Sequence, residues 1–497
     1  MSGKFDVAIV GGGVVGCAIA RELSRYQLKV AVLERAADVA RGTSGKNSGV
    51  VHTGINVPAD SVKGKYNVAG AQFFEQYCAD LDVPFDRCGK VIVALGESEL
   101  PDLEALKAKG EAIGVQQLEI IDRDTLKKME PNIEGAGALN VPTAAIACPY
   151  TLNIALAESA AAGGVEFMLN TPVLDISGEQ DSFEIKTPNG TVSASLIVNS
   201  AGLFADKVAR MVGVTRWRIW PCRGEYLILD RSKGDMINSM VYPVPPKGGA
   251  GLGIHITPTT DGNIILGPSA DYTNDGDDVR TTAKVRRQLL AEATEFLPVI
   301  SPRDVITAYS GMRPKLVPSS VGGFGDFVVA EVPEAPGVMQ LVGIESPGLT
   351  AAPAIAEEVS KWVRERLPVK KNPDFKKTWS SVRRTREEEL GVIDELVAED
   401  PGYGEIMCRC EMITRREIID SINNELNATS VNAIKYRSRA TMGRCQGGFC
   451  GPRIVDLLIK HGGAPESLTL NGGGSWMFMG STEDLRAERK AERARAK

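Results

Sequence analysis

Four cysteines near the C-terminal end have the types and spacing of a metal site. Cys408 and Cys410 stand in Cys-Arg-Cys, and Cys445 and Cys450 stand in Cys-Gln-Gly-Gly-Phe-Cys about thirty-five residues on. Four thiolates from two short loops, with glycines that free backbone amides to bond sulfur, suit an iron–sulfur cluster or a four-cysteine zinc site. Cys17, Cys78, Cys88, Cys148 and Cys222 are scattered singly, as unpaired thiols in a reducing compartment are. Of the three histidines, His52 and His255 lie in glycine-flanked segments, 48–54 and 251–257. A neutral imidazole in such a place can take a hydroxyl or amine proton while hydride leaves the same carbon. His461, beside two glycines at a helix end, reads as a C-terminal cap. Arg313 falls between glycine and proline in what reads as a loop over 309–315, where its planar fork can hold a carboxylate or phosphate.

The N-terminal stretch carries phosphate chemistry. The apolar run Asp6-Val7-Ala8-Ile9-Val10 meets Gly11-Gly12-Gly13-Val14-Val15-Gly16, then a helical pattern, then a second apolar run ending in Glu34. Strand, Gly-x-Gly-x-x-Gly turn, helix, strand and acid together form the dinucleotide-binding fingerprint. Gly11 permits the tight turn, Gly13 lets the backbone approach a pyrophosphate, and Gly16 lets the helix pack close to the strand. The helix N-terminus favours the phosphates. Glu34 is placed to accept ribose hydroxyls, which disfavours a 2′-phosphate there and leaves FAD and NAD both open.

These groups need elements to position them, and the rest of the chain supplies the patterns. At 497 residues it has room for two or three domains. A net charge of −6 gives no reason to propose a nucleic-acid partner. No apolar run approaches the ~20 residues that span a bilayer, and the start lacks a signal-peptide pattern. A cytoplasmic location is the expectation, or one peripheral at the membrane through a partner. Segment 42–54 is dense in glycine and small hydroxyls, suited to backbone running along a ligand. Residues 88–94 read as a strand, and strand patterns cluster at 221–229, 241–244, 253–257 and 263–267, as for an antiparallel sheet roofing the cofactor. Residues 196–202 and 338–344 read as buried strands, and 348–366 as the helix after the second. Residues 370–405 are charged, carry Pro373 and Pro401, and read as a linker. Residues 406–463 form a compact cysteine-bearing unit, and 464–497 a polar tail, either a solvated helix or disordered.

The first ~365 residues resemble FAD-dependent oxidoreductases of the D-amino-acid-oxidase type, a group that includes glycerol-3-phosphate and L-2-hydroxyglutarate dehydrogenases. The likeness rests on the glycine unit with Glu34, on Val198-Asn199-Ser200-Ala201-Gly202-Leu203, and on Val342-Gly343-Ile344-Glu345-Ser346-Pro347-Gly348-Leu349-Thr350. Asn47-Ser48-Gly49-Val50-Val51-His52, Cys88-Gly89-Lys90, Arg223-Gly224-Glu225-Tyr226-Leu227 and the segment around His255 look like the hydroxyglutarate branch. Ser-Gly-x-Arg-Pro around Arg313 looks like the glycerol-phosphate branch, where the matching arginine engages phosphate. That branch also has a lysine in the last glycine loop. Glu345 stands in that loop here, so the second phosphate-binding cation is missing.

The segment 408–452 resembles the bacterioferritin-associated-ferredoxin-like 2Fe–2S domain. The resemblances together imply an α/β fold: a Rossmann-type FAD-binding domain with an antiparallel-sheet substrate domain over 1–369, and a small α-rich 2Fe–2S domain. FAD-binding segments are expected at about 1–75, 145–215 and 330–367. The FAD site would use Gly11, Gly13, Gly16, Glu34, Arg35, Ser44, Asn47, Ser48, Gly49, Val173, Ala201, Gly202, Gly343, Gly348, Leu349 and Thr350. His52, His255 and Arg313 would act on the substrate, and Cys408, Cys410, Cys445 and Cys450 would hold the cluster. The implied activity is oxidation of a small anionic hydroxy substrate, glycerol 3-phosphate or a 2-hydroxy acid. Electrons would pass to the cluster and on to a partner subunit or carrier. Oxidation of an opine-type amino or imino acid and a non-catalytic redox sensor are the alternatives.

Overall fold

A computed structural model describes residues 4–58, 60–245, 253–461, 463, 467–472, 474–477, 486 and 490. Most of the expected 464–497 tail, and Gly251 and Leu252 beside His255, lie outside the described residues. The chain divides into two compact units. One is built from residues up to Arg35 and from Val39 to Ser381; the other from Ala36–Asp38 and from Val382 onward.

The first unit is organised by two sheets. In the eight-stranded sheet, Phe5–Val10 lies between Val30–Leu33 and Gly190–Asn199, parallel to both. Ala335–Val342 runs parallel to the end of Gly190–Asn199. These strands read as continuous apolar runs because the central ones are buried on both faces. Helix Val14–Leu23 packs on helices Pro149–Ala162 and Gly348–Arg364, and helix Val62–Asp80 packs on the last of these. That last packing is tight. A methyl group on Gly70 would sit 2.0 Å from the Thr350 carbonyl oxygen.

The nine-stranded sheet is mostly antiparallel, and its two faces differ in chemistry. Alternate residues along a strand point to opposite sides. Val91, Val93, Leu227, Leu229, Val241, Ile256, Ile264 and Leu266 form one apolar face, closed by Val285, Leu289, Ala293 and Phe296 of helix Ala283–Phe296. The residues between them carry the other face, which is mixed: Ile92, Ala94, Leu139, Val141 and Met240 form a second apolar cluster with Tyr242, and Lys90, Tyr226, His255, Tyr309, Gly311, Arg313 and Lys315 supply its polar part. Register confirms the grouping, with Val241 opposite Ile256, Tyr226 opposite Tyr309, and Cys222 opposite Arg313.

Here the reading of 309–315 as a loop is corrected. Val305–Lys315 is a continuous strand paired along most of Trp220–Leu229. It pairs with that strand alone, so Pro314, opposite Pro221, removes no ladder bond on a second side.

Residues 370–381 lie along the first unit. Lys370 accepts from the Gln27 amide at 2.8 Å, the Asn372 amide donates to Arg25 at 2.8 Å, and the Trp379 amide to Asp80 at 2.8 Å. The remainder of the expected linker contains helix Leu390–Glu399. The second unit packs helices Arg415–Ile422, Val431–Ser438 and Gly451–Lys460 around Ile418, Ile434, Ile454 and Leu458, beside a short hairpin of Ile406–Cys408 and Ile413–Thr414. Thr414 and Glu417 close a reciprocal capping box at the first of these helices. His461 ends the last helix. Among the described residues no helix is long and apolar enough to cross a membrane.

Candidate active site and cluster site

The glycine turn is shaped for close approach. Gly11 has φ +107°, and a methyl there would lie 2.8 Å from the Ser200 carbonyl oxygen. Ser200-Ala201-Gly202, leaving strand Gly190–Asn199, therefore crosses directly over the turn. A methyl on Gly16 would meet the Gly11 carbonyl oxygen at 2.1 Å. Glu34 accepts from the Gly12 amide at 2.7 Å, which fixes its carboxylate at the end of strand Val30–Leu33. Ser44 accepts from the Val14 amide at 2.9 Å and so caps the helix that would face a pyrophosphate. Asn47 shapes the following turn, donating to the Thr43 and Ser44 carbonyls and accepting from the Gly49 amide. Ser48 lies in the same turn. Arg35 pairs with Asp277 at 2.9 Å and lies 4.0 Å over the Phe204 ring, and half-buried Val173 packs against the core of the first sheet. These contacts make a concave, glycine-lined cradle that fits a dinucleotide.

His52 is brought to the last glycine loop. Its backbone amide donates to the Thr350 hydroxyl at 3.0 Å, and its ring nitrogen lies 3.2 Å from Ser346 Oγ. Gly343 bends that loop with φ +73°, and Gly348, Leu349 and Thr350 open the helix behind it. Burial, helped by the Lys90 cation, pushes the His52 imidazolium down to about 3, so the ring is neutral at working pH.

On the polar sheet face, Arg313 donates to the Ser269 carbonyl at 2.9 Å, touches Cys222 Sγ at 3.6 Å and bonds the Tyr226 hydroxyl. Gly224 gives it room: a methyl there would lie 2.7 Å from the guanidinium. No carboxylate forms a salt bridge with Arg313 among the described residues, so its charge is available to an anion. Tyr226 stacks on Tyr309 at 4.7 Å. Tyr309 donates to the Asn47 carbonyl at 3.0 Å, and a methyl on Gly311 would lie 2.0 Å from the Lys46 carbonyl oxygen. The Arg313 strand is thereby held against the 42–54 loop.

His255, 6% exposed, stacks face to face on Tyr242 at 3.7 Å. The hydroxyls of Tyr242, Thr257 and Thr53 and the Asn67 amide are buried without hydrogen-bond partners among the described residues, a pattern expected where a ligand or water completes the bonding.

Several residues of this arrangement carried no signal as isolated letters. Lys90, Tyr226, Tyr242 and Tyr309 become a group through strand register. The sequence cues were a lysine opening the apolar run Lys-Val-Ile-Val-Ala and the motifs that look like the hydroxyglutarate branch, neither of which shows that these residues meet. The absence of a cation from the last glycine loop also looks different in three dimensions. Glu345 is buried with Lys63 at 3.3 Å and Lys315 at 3.2 Å, so two lysines reach that loop from other elements and are held by its acid.

In the second unit the four cysteines form two hydrogen-bonded pairs, Cys408 with Cys450 and Cys410 with Cys445. The first pair is buried and the second exposed. The Cys450 thiol donates to Cys408, pushing Cys408 down to about 6 and Cys450 upward. Backbone amides of Glu411 and Thr441 point at Cys408 sulfur, and those of Gly447 and Phe449 at Cys445 sulfur. Met412, Arg439, Thr441 and Gln446 all adopt positive φ around this cradle. Glu411 anchors it, buried between Arg386 and Arg439 at 3.0 Å each. Amides aimed at deprotonated sulfur fit an iron–sulfur cluster.

Comparison with known proteins agrees with this geometry. Residues 6–362 match the family described as FAD dependent oxidoreductase, and residues 406–460 match the BFD-like [2Fe-2S] binding domain. A glycerol 3-phosphate dehydrogenase of Caloramator mitchellensis is 36% identical over 96% of this chain and 99% of its own length. A mitochondrial L-2-hydroxyglutarate dehydrogenase of Arabidopsis thaliana is 31% identical over 72% of this chain and 83% of its own. Among solved structures, the FAD-bound L-alpha-glycerophosphate oxidase of Mycoplasma pneumoniae superposes with a TM-score of 0.70 at 30% identity, covering 76% of this chain and 98% of that one.

Proposed function

The chain belongs to the FAD-dependent oxidoreductase family and carries a BFD-like 2Fe–2S domain, and we propose that it is a dehydrogenase of a small anionic hydroxy substrate. Glycerol 3-phosphate and 2-hydroxy acids such as L-2-hydroxyglutarate are the substrate classes; its relatives bear the names of enzymes for both. The observation that carries this reading is the Arg313 strand held against the 42–54 loop that bears His52, with no carboxylate paired to Arg313 among the described residues.

In this reading Arg313 holds the substrate's anionic group through the part of its fork not used by Ser269 and Cys222. His52, neutral and oriented by Ser346, takes the proton from the hydroxyl oxygen on the carbon that gives up hydride. The Tyr242 and Thr257 hydroxyls offer bonds to the substrate's remaining oxygens, and the close packing of the 42–54 loop on the Arg313 strand excludes water. FAD supplies the hydride acceptor, and the cluster supplies one-electron transfer to an acceptor. The residues assigned above to the dinucleotide form its site, and Cys408, Cys410, Cys445 and Cys450 form that of the cluster. The exposed Cys410–Cys445 pair marks the edge from which electrons leave for a carrier or partner subunit.

The test is anaerobic mixing of holoenzyme with glycerol 3-phosphate, L-2-hydroxyglutarate and related hydroxy acids while visible flavin absorption is followed. Bleaching by one of them, with turnover sustained by a one-electron acceptor, is expected. No bleaching by any member of the set would refute the reading.

A further inference from the structure

Three lysines on the first unit's site side are almost wholly buried, and they are not equivalent. Lys63, 1% exposed, and Lys315, also 1% exposed, share Glu345. Lys90, 2% exposed, has neither a carboxylate nor a hydrogen-bond acceptor among the described residues. Segment 246–252, outside those residues, contains no aspartate or glutamate. An ammonium ion so deeply buried is costly unless something neutralises it.

Its surroundings point toward the substrate pocket. Lys90 opens strand Lys90–Ala94 between Met240 and Val141 of the two neighbouring strands, on the face that also carries Tyr242 and His255. Its Nζ lies 5.0 Å from the Tyr242 ring centroid, and that ring stacks on His255. The Tyr242 hydroxyl is itself without a partner. His52 feels the Lys90 charge although the two residues belong to different parts of the chain. We propose that Lys90 is a second anion-holding residue of the substrate pocket, taking an oxyanion of the substrate that Arg313 does not take. This rests on the reading of the pocket as a hydroxy-anion site and specifies it: the substrate presents anionic oxygen at two places. That oxygen belongs either to a second carboxylate or to a phosphate.

Occupation has an electrostatic consequence. An anion on Lys90 offsets the charge that weakens His52 as a proton acceptor, so substrate binding makes the base stronger. The titratable neighbours are few. The Tyr242 phenol is pushed up by burial and stays neutral, and the Cys88 thiol is pushed up to about 12. His255 stacks on Tyr242, and the Lys90 charge reaches His52. Glu345, beyond Ser346, is held by its two lysines. Burial alone pushes Lys90 down to about 8.

The experiment measures binding of glutarate and of inorganic phosphate to oxidised holoenzyme, by calorimetry and flavin absorption, from about pH 6.5 to about pH 9.5. Wild-type affinity for one of these probes should fall about tenfold as Lys90 loses its charge. Lys90→Gln should bind that probe about tenfold more weakly at pH 7 and lack the fall, while Lys90→Arg, which stays charged, should bind without it. Preference for glutarate identifies a dicarboxylate pocket, and preference for phosphate a phosphoester pocket. Glutarate affinity that is unchanged from about pH 6.5 to about pH 9.5, together with a flavin-bound Lys90→Gln or Lys90→Met variant that binds both probes as tightly as wild type, overturns the proposal. Because no substrate turns over, failure here leaves the bleaching result standing, and failure of bleaching leaves this result standing.

Discussion

The phenolic hydroxyl of Tyr309 donates to the backbone carbonyl of Asn47 at 3.0 Å, across 262 positions of sequence. This bond ties the Arg313 strand to the glycine-rich loop that caps the first helix. Tyr309→Phe keeps the stack on Tyr226 and removes only the tie. It should cost about 1 kcal/mol in thermal or urea unfolding and raise KM more than it lowers kcat. A variant with both stability and KM unchanged would show that the loop is held by packing alone.

Arg313→Ala should raise substrate KM by roughly a hundredfold, the scale of losing a charge-assisted bidentate contact, while FAD content stays at the wild-type level. Arg313→Lys should recover little, because an ammonium cannot reproduce the planar fork. Steady-state kinetics with the flavin spectrum checks both. An unaltered KM in the alanine variant would place the anion elsewhere.

Gly16→Ala puts a methyl where the Gly11 carbonyl oxygen lies 2.1 Å away and Ser200 Oγ 2.7 Å away. Neither backbone nor a buried hydroxyl can yield that space cheaply. The purified variant should lose most of its FAD on desalting, read from the ratio of visible to ultraviolet absorption.

In the second unit, a methyl on Gly443 would lie 2.3 Å from Cys410 Cβ and 2.9 Å from Glu411 Oε1. Gly443→Ala should therefore displace the Cys410 loop and remove iron and acid-labile sulfide without reducing FAD content. Anaerobic purification followed by metal and sulfide assay is the measurement. Stoichiometric zinc without iron in the wild-type protein would contradict the cluster assignment.

Lys90 also predicts a pH signature in stability. Its native pKa, about 8, lies below the unfolded value of 10.5. Between these values the unfolded chain binds more protons at this site, so this group's contribution to stability rises with pH across that window. Below pH 8 the buried charge destabilises the ligand-free fold. Lys90→Met should thus be more stable than wild type at pH 7, by up to about 3 kcal/mol. The difference should shrink as pH climbs from 8 to 10.5. A constant difference over that range would mean that the ammonium is solvated in the native state.

What the sequence determined by itself is what depends on near neighbours in the chain. The glycine turn, its helix and Glu34 belong to one short unit, and the cysteines sit in two compact loops whose glycines and spacing state a four-thiolate site, iron–sulfur or zinc. The apolar runs of the parallel strands and the helix at Gly348–Arg364 were legible for the same reason. Arg313 stood out in the sequence as a candidate anion holder, but Gly311 and Pro314 suggested a loop. Only pairing with Trp220–Leu229 decided that it is a strand, since an edge strand tolerates a proline that a central strand would not. Tertiary structure also decided which polar residues share a face. Strand register gathered Lys90, Tyr242, His255, Tyr226 and Arg313 from positions far apart in the chain. It brought Lys63 to Glu345 across 282 positions and left Lys90 without a counter-charge among the described residues. Charge balance in a buried pocket is a sum over all the elements that line it, and no local pattern records that sum.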